Sequence, residues 1–148
     1  MKRMRLLLVH DEPELTEQVT RELEDLGFEV DVAIDPGDAV GRVLSRVPDV
    51  VLVNLSLPRE SGYELCEMLR GDESLTRMPI VVMSDRCSPE DIAYAEEAGA
   101  NVFLKLPSPS KSLGTLARHL RALAVGTPPP SGPMVRSLRP PGGDVRTP

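Results

Sequence analysis

Asn54 closes the apolar run Val50-Val51-Leu52-Val53, and the chain continues Leu55-Ser56-Leu57-Pro58. A short apolar run ending on one polar side chain reads as a buried strand with a functional tip, because open parallel α/β sheets place their ligands at the carboxyl ends of strands. Asn54 brings an amide there. It can donate and accept hydrogen bonds, but it has no carboxylate to act as a nucleophile and no charge to hold a metal ion. Two other runs end in a similar way: Leu6 to Val9 leads into His10-Asp11-Glu12-Pro13, and Ile80 to Met83 leads into Ser84. His10, one carboxylate and an amide make a poor metal site, so no metal is expected there. Asp11 and Glu12 suit the positive N-terminus of a following helix. Ser84 suits a bond to nearby backbone. Ser56 has no identifiable general base beside it.

The elements that position these groups are legible as alternating patterns. Runs without alternation, such as Leu6 to Val9, Val50 to Val53 and Ile80 to Met83, suit strands buried on both faces. Val30 to Ala33 and Val102 to Leu104 are weaker and read as edge or near-edge strands. Helical spacing lies between them. Leu15, Val19, Leu23 and Leu26 recur before Gly27, and Val40, Val43, Leu44 and Val47 follow Asp35-Pro36, an N-cap with proline at the first helical position. Leu65, Met68 and Leu69 mark a third helix, and Ser88-Pro89-Glu90-Asp91 starts a fourth, with Ile92 and Ala95 or Ala98 facing inward. Leu113, Leu116, Ala117, Leu120, Leu123 and Ala124 give the clearest amphipathic helix. The order is βα repeated, and right-handed crossovers then predict an α/β, three-layer, doubly wound (βα)5 sandwich, flavodoxin-like, with a parallel sheet in the order 2-1-3-4-5.

Composition divides the chain. Residues 1–125 hold the folded pattern. Residues 126–148 are dominated by Pro, Gly, Ser and Arg, and such a segment is expected to be a disordered tail because it buries too little surface to offset its ordering entropy. The Pro128-Pro129-Pro130 stretch reads as a spacer in preference to a polyproline ligand. A formal net charge of -6 argues against nucleic acid as a partner, since binding its phosphate backbone needs clustered Lys and Arg. No run approaches the length of a membrane span, and the basic start Met1-Lys2-Arg3 is followed by too short an apolar run for a signal peptide. Cys66 and Cys87 stand in unrelated contexts, as unpaired thiols do in a reducing cytosol, so a cytoplasmic protein is expected.

Four motifs, in order, resemble the bacterial response-regulator receiver domain: Leu6 to Pro13, Asn54 with Pro58 and Ser61-Gly62-Tyr63, Pro79 to Ser84, and Ala98-Gly99-Ala100-Asn101-Val102-Phe103-Leu104-Lys105-Leu106-Pro107. The resemblance covers roughly residues 4 to 125. It implies a pocket in which two acidic residues hold Mg²⁺, an Asp accepts a phosphoryl group from a histidine kinase, and a Ser or Thr and a Lys bind its oxygens. Position by position, His10 replaces the first acid, Asp11 keeps the second, Asn54 replaces the acceptor, Ser84 keeps the hydroxyl and Leu106 stands in the Lys position. Lys105 lies one residue early, and in a strand that shift turns a side chain to the opposite face. Lys105 reaches the pocket only if the turn is irregular.

The scaffold is kept while three of the five chemical positions are lost, as in an atypical member, a pseudo-receiver. The expected function is a phosphorylation-independent module of bacterial signal transduction that binds a protein and is not an enzyme. No cofactor is expected, and Mg²⁺ binding should be weak or absent. The family's output surface implies a partner site around Ile92, Phe103 and Leu104, with Phe103 as an aromatic anchor. No effector domain is expected after the receiver. A receiver that accepts phosphate at a non-standard residue is one rival. A small-molecule-binding flavodoxin-like domain is another, ranked last because no glycine-rich phosphate loop follows the first strand.

Overall fold

In the computed structural model, residues 3–10, 13–55, 59–75, 77–84, 88–105, 120–121 and 135–137 are described. The elements run β1 (Met4–Val9), α1 (Pro13–Asp25), β2 (Phe28–Ala33), α2 (Pro36–Ser45), β3 (Val50–Asn54), α3 (Arg59–Arg70), a single 3₁₀ turn (Glu73–Leu75), β4 (Ile80–Ser84), α4 (Pro89–Ala98), β5 (Val102–Lys105) and β6 (Val135–Ser137). β1 to β5 form a parallel sheet in the order β2-β1-β3-β4-β5, as the alternation of strand and helix patterns predicts. Of the expected fifth helix, residues 113 to 124, only Leu120 and Arg121 are described, and both are helical.

The three central strands carry the continuous apolar runs Leu6 to Val9, Val50 to Val53 and Ile80 to Met83 because helices cover both of their faces. On one face, Leu7, Val9, Val51, Val53, Val82 and Phe103 pack with Ala39 and Val43 of α2, Leu65, Cys66 and Leu69 of α3, and Ala95 and Ala98 of α4. On the other, Leu6, Leu8, Leu52, Val81, Met83 and Leu104 pack with Val19 and Leu23 of α1 and with Leu120. Each buried Val, Leu, Met or Phe among them contributes about 1.5–3 kcal/mol relative to leaving it in water. The parallel register, Leu8 beside Val32 and Leu52, and Val53 beside Val82, keeps the strand ends level.

Local chemistry fixes the helix ends. Asp35 caps α2 by accepting a hydrogen bond from the Asp38 N–H at 2.8 Å, with Pro36 at the first position. At α4 the Ser88 hydroxyl accepts from the Asp91 N–H at 3.1 Å, and the Asp91 carboxylate accepts from Ser88 in return, a capping box. Gly99 ends α4 at φ +104°, and any Cβ at that position would collide with the Arg70 side chain.

The structure departs from the sequence expectation on the helix faces and in the tail: Met68 of α3 and Leu26, just past the end of α1, are exposed. Leu44 and Val47 are exposed: α2 buries Ala39 and Val43, four residues apart, while Leu44 falls off that stripe and Val47 lies past the helix end at Ser45. The tail is not wholly without structure, because Val135–Ser137 pairs antiparallel with β5 as a sixth strand; the rest of residues 126–148 lie outside the described residues. β5, read as an edge or near-edge strand, is a near-edge strand, one in from β6.

Candidate functional site

The level strand ends bring four of the sequence-selected residues to one edge of the sheet. His10 follows β1, is buried at 1% exposure, and extends the β1–β2 ladder by donating its N–H to the Ala33 carbonyl at 3.0 Å. Asn54 is the last residue of β3, lies beside Met83 and is 8% exposed. Ser84 is the last residue of β4, equally buried, and stands opposite Lys105, the exposed last residue of β5. His10, Asn54 and Ser84 are all engaged in polar or electrostatic interactions. Asp11, Glu12, Ser56 and Leu106 lie outside the described residues.

Strand alternation sorts these groups by face. Asn54 is two residues after Leu52 and beside Met83, on the α1 side of the sheet. Lys105 is two residues after Phe103, on the opposite side. The shift expected from the position of Lys105 is present in the register. The strand tips therefore offer an imidazole and an amide, while the Ser84 hydroxyl and the Lys105 ammonium share the other face. Among the described residues, no three His, Cys, Asp or Glu side chains cluster in a way that could hold a metal ion.

The expected partner surface needs correction. Phe103 is 1% and Leu104 2% exposed, and both belong to the core; only Ile92, half-buried, reaches the surface. Phe103 faces α2, α3 and α4 and is the central β5 residue paired with β6, so it is not free to anchor a partner. The exposed part of this region is the outer side of α4, where Tyr94 is 59% exposed and the exposed Glu90 and Glu97 lie one helical turn away on either side. The Tyr94 ring lies 5.9 Å from that of Tyr63, whose hydroxyl donates to the Asp91 carbonyl at 3.2 Å.

Cys66 is no candidate nucleophile: burial pushes its thiol up to about 12, against the weaker opposing pull of Arg70. A cavity of about 710 Å³ lies between α2 and the β1–β2 edge, lined by Arg5, Asp31, Gly41, Arg42 and Arg46 among others. It is separate from the strand tips, and its arginines are balanced: Arg42 bonds Asp31 at 2.7 Å and Asp38 at 3.0 Å, and Arg46 lies 3.4 Å from Glu29.

Sequence reasoning missed a highly connected polar side chain, Arg70. From the last turn of α3 it donates to the carbonyls of Gly99, Leu75 and Met78 at 2.8, 3.0 and 2.7 Å, and to Asn101 Oδ1 at 2.6 Å. Asn101 Oδ1 also accepts the Ile80 N–H at 2.7 Å, which ties the start of β4 to that of β5. This is scaffold at the end of the sheet opposite the strand tips. A lone Arg in a last helical turn carries no sequence signal for such a role, since basic residues commonly sit there.

The family pattern described as response regulator receiver domain matches residues 6–118. The DNA-binding response regulator MtrA of Mycolicibacterium smegmatis is 34% identical over 111 residues, which are 75% of this chain and 47% of that protein. The response regulator MprA of Mycobacterium sp. (strain KMS) is 34% identical over 132 residues, 88% of this chain and 54% of that protein. The chain thus spans about half the length of these two relatives. Among solved structures, the chemotaxis response regulator CheY4 of Vibrio cholerae superposes with a TM-score of 0.71 at 27% identity, over 79% of this chain and 98% of that one. With the strand order, the level strand tips and these likenesses together, the chain belongs to the response regulator receiver domain family, the receiving module of two-component signalling.

Proposed function

We propose that this chain is a phosphorylation-independent receiver, a pseudo-receiver that works by binding a protein. The observation that carries the reading is Asn54 at the tip of the central strand, with the only described strand-tip cation, Lys105, on the other face. An amide has no anionic oxygen to attack phosphorus. Phosphoryl transfer depends on charge stabilisation and positioning, and a misplaced ammonium supplies neither. The described donors also fit Mg²⁺ poorly, because that ion demands oxygen ligands, chiefly carboxylates, and an imidazole and an amide stand here. A ligand shifts a two-state protein only through differential affinity, so a site that forms no acyl phosphate cannot report one.

The partner surface we assign is the outer side of α4, with Tyr94 as its aromatic centre and Glu90 and Glu97 one turn to either side. Aromatic side chains dominate interface energies, and the acidic surround favours a basic partner face. A partner captured from the native cell tests this. The Tyr94→Ala variant should bind it about thirtyfold more weakly, the loss typical of truncating an anchor, and acetyl phosphate should leave the wild-type affinity unchanged. Equal binding by the variant, or tighter binding with the phosphodonor, would remove the reading.

A further inference from the structure

β5 would close the sheet if β6 were absent. An open strand edge presents a row of unsatisfied N–H and C=O groups and templates pairing with other chains. Here that row faces a segment of the same chain. Val135–Ser137 runs antiparallel to β5, with Val102 beside Ser137, Phe103 beside Arg136 and Leu104 beside Val135.

The sequence around β6 explains why the contact is short. Pro133 precedes it by two residues, and Pro140 and Pro141 follow it by three and four. Proline cannot donate to a ladder, so pairing is confined to the stretch between them. Charge favours docking in cis. Residues 127–148 carry three Arg against one Asp, which leaves the other 126 residues at a formal net charge of -8. A basic tail on an acidic domain is attracted over a Debye length of about 8 Å at physiological salt. Docking in cis is intramolecular, so it needs less intrinsic affinity than the binding of a separate chain.

We propose that the β5 edge is a strand-binding site for this chain's own segment Val135–Ser137, which acts as a tethered plug and keeps that edge from pairing with a second copy. The tail is then a working part of the protein and not an inert extension. The site takes an extended peptide in antiparallel register, and its natural occupant is already attached.

Amide hydrogen exchange on the full chain tests this without altering it. The sheet has an internal reference, because among the described residues β2 is its other edge and carries no partner strand on its outer side. The β5 amides that face away from β4 should exchange at least about tenfold more slowly than the outward amides of β2, as paired groups do relative to open ones. Equal exchange at the two edges would overturn the proposal. In Arg136→Pro, which places proline in the middle of β6, those β5 amides should exchange faster while the central β1 and β3 amides keep their protection. A synthetic peptide spanning residues 131–141, added in excess, should slow them again. Sedimentation should show the variant self-associating at concentrations where the wild type does not, and the peptide should reverse this. A chain ending at Gly132, which lacks the β6 segment altogether, gives the same readout if Arg136→Pro fails to fold. Unchanged β5 exchange in a folded variant, or no effect of the peptide, would contradict a strand-binding edge.

Discussion

Asn54 and Lys105 end strands of the same sheet but project from opposite faces, Asn54 in the row of Met83 and Leu104 and Lys105 in the row of Ser84. One register position separates a lysine that could face the central strand tip from one that does not. Because side chains alternate with a period of two, no small adjustment inside the strand restores the missing cation.

Asn54→Asp alone should therefore not produce an efficient acceptor. The variant regains a nucleophile but keeps His10 in place of an acid and Leu106 in place of the cation. Removing one preorganised charge-stabilising donor typically slows a reaction by about a hundredfold or more. The rate of labelling by acetyl phosphate, measured beside an ordinary receiver, should show at least that deficit. Labelling at the ordinary rate would mean that Lys105 or another cation reaches the pocket.

Mg²⁺ should not saturate the chain below about a millimolar, since an amide and an imidazole compensate its dehydration badly. Backbone amide shifts followed during a Mg²⁺ titration provide the measurement. A saturating response centred on Asn54 at micromolar metal would contradict it.

Phe103→Ala should act on stability. The ring is 1% exposed within the α2–α3–α4 core, and truncating such a side chain costs about 3–5 kcal/mol. Urea unfolding followed by circular dichroism should show the midpoint falling by that equivalent. A stable variant with weakened partner binding would return Phe103 to the surface role its position in the sequence suggested.

Arg70→Ala should also destabilise, by about 3 kcal/mol, because it leaves three carbonyls and Asn101 Oδ1 short of a charged donor. A double-mutant cycle with Asn101→Ala should give a coupling of about 1 kcal/mol or more, as for residues in one hydrogen-bond network. Additive effects would show that the two side chains act separately.

Most of the scaffold was legible in the sequence because its determinants are local. Leu6 to Val9, Val50 to Val53 and Ile80 to Met83 are strands for the reason their patterns imply, and Asp35-Pro36 and Ser88-Pro89 start helices by capping that the residues themselves supply. Asn54 was legible as a strand tip for the same reason. What escaped was non-local. Phe103 reads as an exposed aromatic on an outer strand, and only packing against α2, α3 and α4 buries it. Arg70 joins groups separated by up to 31 residues, which no periodicity reports. Val135–Ser137 is a strand through its pairing with β5, in a stretch whose composition favours none.

The Cys66 thiol offers a pH test of the core. Its folded pKa is raised from 9.0 to about 12 by burial, so the folded state holds the proton more tightly than the unfolded chain does. That protonated state leaves stability intact below about pH 9, and stability should fall as pH rises from 9.0 toward 12. In a Cys87→Ser background, a thiol reagent at neutral pH should label Cys66 only as fast as the domain opens. Immediate labelling would place the thiol at the surface.

The central claim is that this receiver forms no acyl phosphate, and the most direct measurement is the intact mass of the full wild-type chain after incubation with acetyl phosphate and Mg²⁺. An ordinary receiver treated in parallel should gain one phosphoryl group that is lost on brief exposure to alkaline hydroxylamine. This chain should show the unmodified mass alone, because an amide stands at the tip of β3. A phosphoryl adduct of comparable yield and hydroxylamine lability would contradict the account and point to another carboxylate in the pocket as the acceptor.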